Sequence, residues 1–119
     1  MRIVFALTLI IISFVFISSS CSKGGGGGGG TTLDCNTVAN KAFAANVNPI
    51  IQSSCAIGGC HDAISTNGPG PLTNYSQVFN ARTTIRSDVS TGIMPKTGSL
   101  TSSQKNSIIC WIDSGAPNN

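Results

Sequence analysis

Apolar residues fall along this chain in one long block near the start and in shorter, helically spaced groups after it. Ile3 to Ile17 is almost wholly apolar. Further on, Val38, Ala42, Phe43 and Val47 show rough helical spacing. Asn48-Pro49 then reads as a helix start, with Asn as cap and Pro at the first helical position. Ile50 and Ile51 follow, and an earlier helical piece is expected to break or bend near Pro49. From Asp62 to Asn74 the chain is mostly Gly, Pro, Ser, Thr and Asn, which predicts an irregular loop. Asn74 caps a second helix, Tyr75 to about Ser90, with Tyr75, Val78, Phe79, Ile85 and Val89 near one face and Gly92 as the stop. The last helix opens on a capping box, Thr101 with Gln104. Leu100, Ile108, Ile109, Trp111 and Ile112 supply its apolar surface, and Gly115-Ala116-Pro117 ends it. No alternating strand pattern stands out, so the predicted fold class is mostly α.

The first block is shorter than the about 20 residues a bilayer span needs. Preceded by Arg2 and followed by Ser18-Ser19-Ser20, it fits the apolar region of a secretory signal over residues 1–20. With Cys21 next, the segment resembles a bacterial lipoprotein signal, which implies that Cys21 is lipid-modified; the other reading is a secreted protein with an unpaired Cys21. Gly24 to Gly30 cannot build a core, and residues 21–34 are expected to form a lipidated, glycine-rich tether spanning about 20 Å. Residues 35–119 then allow a single small domain. Its positive charges, Lys41, Arg82, Arg86, Lys96 and Lys105, are spread thinly, and nucleic acid is not indicated as a partner.

Candidate chemistry concentrates in Cys55-Ala56-Ile57-Gly58-Gly59-Cys60-His61, which holds the only histidine of the chain. Cys-x-x-Cys-His is the attachment signature of c-type haem: two thiols bond the vinyl groups and the adjacent imidazole ligates iron. Here four residues separate the cysteines, and Gly58-Gly59 gives the longer loop freedom to bulge outward while Cys60 and His61 stay in register. Met94, with Pro95 after it, is the only methionine beyond the leader and the candidate for a second axial ligand; the competing role is filling a core gap. Export to an oxidising compartment leaves Cys35, Cys55, Cys60 and Cys110 to be accounted for, and four cysteines allow three disulfide pairings. Giving Cys55 and Cys60 to haem joins Cys35 to Cys110. Two other readings stay open: a Cys55–Cys60 disulfide with His61 merely adjacent, and a zinc site from Cys55, Cys60, His61 and one more cysteine. Arg82 and Arg86, one turn apart, are candidates for haem propionates or for a solvated face.

A helix running into Cys-x4-Cys-His, a loop, a helix, Met-Pro and a terminal helix ending Trp-Ile-Asp-Ser-Gly-Ala resembles the small c-type cytochrome domains of bacterial lipoproteins. The matching pieces are Asn48 to Ile51, Cys55 to His61, Ile93 to Pro95, Leu100-Thr101 and Ile109 to Asn119. The resemblance implies a few helices wrapped around one covalent haem c, with the N- and C-terminal helices packed together. It also implies thioethers at Cys55 and Cys60, His61 as proximal ligand and Met94 as distal ligand.

The function expected from these readings is a membrane-anchored, single-electron carrier of the periplasmic or cell-surface side, with redox proteins as partners and no catalytic residues. Asp34, Asp62, Asp88 and Asp113 are scattered, and no second histidine is present for acid–base work. Two alternatives are a haem protein with an open iron position (a sensor or a peroxidase-like enzyme) and a haem-free, disulfide-stapled surface module.

Overall fold

A computed structural model describes residues 33–119. The expected signal peptide, Cys21 and the glycine run lie outside the described residues. Regular structure within them is helical, without strands. A π-helical turn, Phe43–Val47, runs into α1 (Asn48–Ser54); α2 spans Tyr75–Thr91 and α3 Ser102–Asp113. Among the described residues no helix is long and apolar enough to cross a membrane.

The earlier helical piece, expected to break or bend near Pro49, changes register there, passing from a π-helical turn into α1. The Val47 N–H donates to the Ala42 carbonyl at 3.1 Å and the Asn48 N–H to the Phe43 carbonyl, a five-residue register. Proline has no N–H to give, and its ring crowds the carbonyl four residues back in a regular α-helix. A wider turn just ahead of it relieves that crowding. Asn48 is therefore helical itself (φ −57°, ψ −45°) and caps nothing; its side chain accepts from Gln52 Nε2 at 3.1 Å. The cap comes from the far end of the chain: Asn119 accepts from the Phe43 N–H through Oδ1 at 2.8 Å and from the Ala44 N–H through its backbone oxygen at 2.7 Å.

α2 and α3 begin and end as their sequences predict. Asn74 Oδ1 accepts from the Gln77 N–H at 3.1 Å, and Gly92 closes α2 in the left-handed region (φ 76°). Both bonds of the Thr101–Gln104 capping box are formed. At the C-terminus of α3, Gly115 (φ 93°) turns the chain so that its N–H meets the Ile112 carbonyl and the Ala116 N–H meets that of Trp111. This Schellman closure packs a fully buried Ala116 near Trp111.

One core sits between these elements. It takes Phe43 and Val47 from the π turn, Ile51 from α1, and Val78, Ile85 and Val89 from α2. Ile108 and Trp111 come from α3, and Leu72 and Leu100 from the connecting loops. Phe43 meets Tyr75 edge-on with ring centres 5.0 Å apart and Trp111 at 5.2 Å. Fully burying each of the large aliphatic side chains contributes roughly 2 kcal/mol. Arg86 on α2 and Asp113 at the end of α3 form a two-pronged ion pair, Nε to Oδ1 at 2.5 Å and Nη2 to Oδ2 at 2.8 Å. Cys35 and Cys110 are joined by a disulfide across 75 residues, the pairing that remains when Cys55 and Cys60 are set apart.

Two stability measurements follow from this arrangement. Reducing the disulfide, or replacing Cys35 with Ser, restores the freedom of a 75-residue loop. In the chain-entropy model that lowers the unfolding free energy by about 4 kcal/mol, read from urea denaturation with and without reductant. The Arg86 guanidinium holds the Asp113 carboxyl below its ordinary value of 3.8. Its contribution is thus present above that pH and is lost as pH falls through the lower, folded-state value. Because both groups are partly exposed, Asp113→Asn should cost under about 1 kcal/mol at neutral pH, and less still in acid.

Candidate functional site

α1 delivers Cys55, whose N–H still donates to the Ile51 carbonyl at 2.9 Å. The chain then leaves the helix in a loop with its own bonds. The Cys60 N–H reaches the Ile57 carbonyl at 3.0 Å, and the His61 N–H reaches the Cys55 carbonyl at 3.1 Å. The second of these closes the whole Cys-x4-Cys-His excursion on itself. Gly59 holds φ +80°, and a side chain built on either Gly58 or Gly59 would meet nothing within 4 Å. Both glycines therefore sit in uncrowded space, and Gly59 is one of the residues that line the cavity beside Cys60 and His61.

His61 is buried. Its Nδ1 lies 2.9 Å from the Gly70 carbonyl oxygen. A carbonyl only accepts, so Nδ1 carries the proton and the neutral ring keeps its lone pair on Nε2. Nε2 has no protein partner among the described residues. The Leu72 N–H donates to the His61 carbonyl at 2.9 Å, and Leu72 itself is buried, which fastens the 67–72 loop to the histidine. Its composition predicts only an irregular loop over Asp62 to Asn74. The one available signal for its role was Leu72, a lone leucine in a stretch of small and polar residues.

Cys55, Cys60, His61 and Met94 all line a single cavity of about 340 Å³. Ile85 and Val89 of α2 and Leu72 supply apolar wall, and Pro95 continues it. Met94 reaches the cavity because Gly92 ends α2 and the Met94 N–H bonds back to the Asp88 carbonyl at 3.1 Å. Lys96 is the cation and Asp88 the carboxylate among the lining residues. Arg82 and Arg86 do not line it. Arg82 stacks over Phe79, 4.0 Å from the ring centre, and Arg86 is engaged with Asp113. The propionate role considered for both arginines is thereby withdrawn.

Cys55 and Cys60 are free thiols. Burial pushes the Cys55 thiol above its ordinary value, and the nearby Cys60 adds to the effect, so Cys55 is held as the neutral thiol. A Cys55–Cys60 disulfide is not formed. Among the described residues no three His, Cys, Asp or Glu side chains gather closely enough to hold a metal ion, which leaves the zinc reading without geometric support. What the cavity brings together is two free thiols, one imidazole and one thioether.

The bond to Gly70 makes a direct spectroscopic statement. In long-range ¹H–¹⁵N spectra of the polypeptide, neutral His61 should show the Nδ1–H tautomer; an Nε2–H tautomer would contradict the orientation described. Compared with family models, curated proteins and solved structures, the chain has no significant match.

Proposed function

We propose that this protein is a membrane-anchored c-type cytochrome that carries single electrons between redox proteins. One observation carries the reading: a single cavity collects two free thiols, an imidazole whose Nδ1 is committed to a backbone carbonyl, and the methionine of the second loop. Bound haem would supply a one-electron redox couple. Within this reading each residue has a definite task.

Cys55 and Cys60 would hold the group covalently through thioether bonds, which their free thiols can supply. His61 would offer the Nε2 lone pair to its metal, and the Gly70 carbonyl fixes the ring's orientation and raises its basicity. Met94 would offer its thioether to the same metal, a donor that favours electron transfer at raised potential over substrate chemistry. Leu72, Ile85 and Val89 keep water from the buried face. Lys96 offers one positive charge to the carboxylates of the bound group. Cys21, outside the described residues, is the proposed lipid attachment point, with residues 21–34 as the proposed tether.

The test is to produce the full chain in a bacterial periplasm with a c-haem maturation system that accepts the wide spacing. Absorbance that stays with the polypeptide after denaturation is the expected result, and it should be abolished in the Cys55→Ala, Cys60→Ala double variant. Met94→Ala should lower the reduction potential and let the reduced protein bind carbon monoxide, which the parent should not do. Carbon monoxide binding by the parent would point instead to an open iron position. A colourless chain under these conditions would sink the cytochrome reading in favour of a surface module.

A further inference from the structure

We propose that Asn67 is the positioning residue that makes the widened Cys-x4-Cys-His loop workable, by clamping its last turn to the loop that orients His61. This rests on the reading of Cys60 and His61 as the haem-holding pair. Asn67 Nδ2 donates to two backbone carbonyls, Gly59 at 3.1 Å and Cys60 at 3.0 Å. Both partners can only accept, which fixes the amide nitrogen on that side. The same residue is held from below: its N–H donates to Ser65 Oγ at 3.2 Å, and its carbonyl accepts from the Gly70 N–H at 2.5 Å. Gly70 in turn accepts from His61 Nδ1. Asn67 thus spans two short loops, one ending in the thiol and imidazole, the other carrying the imidazole's hydrogen-bond acceptor.

The need for such a clamp follows from the spacing. Four residues between the cysteines carry the chain out of the helix, and the carbonyls of Gly59 and Cys60 accept from side chains rather than from backbone N–H groups. Gly59, at φ +80°, adds backbone freedom at the same place. Asp62 Oδ2 holds the Gly59 N–H only at 3.3 Å, and Ser65 Oγ shares the Cys60 carbonyl. Among the described residues Asn67 is the one side chain that bridges both of these carbonyls. Without it the turn keeps its ends but loses the tie between Cys60 and the Gly70 loop.

The experiment uses the full chain without haem, with alkylation of each cysteine followed by peptide mass mapping. Asn67→Ala and Asn67→Asp both remove the Nδ2 donor; the near-ultraviolet signal of Trp111 checks that each variant is folded. Opening of the turn should speed alkylation of Cys60 roughly fivefold, as loss of a typical pair of exposed hydrogen bonds implies, while Cys55, held by α1, changes little. The decisive comparison repeats the substitutions in a chain lacking Gly58 and Gly59, where the shortened loop should make Cys60 indifferent to residue 67. An unchanged Cys60 rate in the parent loop, or an equal change in both loops, overturns the proposal. With haem maturation, Asn67→Ala should yield single-thioether product alongside the double, resolved by mass and by the denatured haem spectrum, and a wholly double-attached product overturns the link to attachment. Failure of the unsubstituted chain to take haem strikes the cytochrome reading alone, because the alkylation arms still decide whether Asn67 holds the loop.

Discussion

Burial of Trp111 is the constraint from which the rest of the fold follows. Its ring is fully enclosed and touches Phe43 of the π turn and Tyr75 of α2, so one residue of α3 joins the other helical segments. A buried indole N–H needs an acceptor, and it finds the Pro117 carbonyl at 2.9 Å. That bond, with the left-handed turn at Gly115, directs the tail back across the core. Tyr75 adds a second tie through its hydroxyl to the Ala116 carbonyl at 2.9 Å. The tail then ends where Asn119 caps the first helical turn. Packing of one aromatic side chain therefore sets the N-terminal entry of the segment that carries Cys55.

Legibility in the sequence divides along the range of the interactions. Asn74, Gly92, Thr101 with Gln104, and Gly115 act within a few residues of themselves, and the structure uses each where its chemistry predicts. The apolar face of α2 is likewise visible, since Val78, Ile85 and Val89 recur at helical spacing and are buried. Asn48-Pro49 misled because the cap signature is local while the true cap, Asn119, is 76 residues away from Phe43. The cysteine pairing is not local either: Cys35 and Cys110 lie 75 residues apart, and four cysteines leave three pairings open.

The candidate site shows the same split. Cys55, Cys60, His61 and Met94 announce themselves as scarce, reactive residue types, and they share one cavity. Gly70 and Asn67 do not, because a backbone carbonyl has no residue type and an asparagine in a glycine-proline loop looks like ordinary turn chemistry. Arg82 and Arg86 are ambiguous in the sequence, where their charge fits a ligand or a solvated face, and the structure engages them with the Phe79 ring and with Asp113.

The wide spacing of the two cysteines is best understood through what the loop holds constant. The Cys55 carbonyl still accepts from the His61 N–H, so the beginning and end of the motif remain in contact whatever lies between them. The excess chain turns at Gly59, where φ is +80° and a side chain would meet nothing within 4 Å. A rigid insertion at this point would push Cys60 and His61 away from α1; a glycine pair free to take up that turn does not. Spacing in sequence and spacing in the cavity are thus separate quantities here. The first is set by residues on the outside of the loop, and the second by the closing bond and by the carbonyl that grips His61.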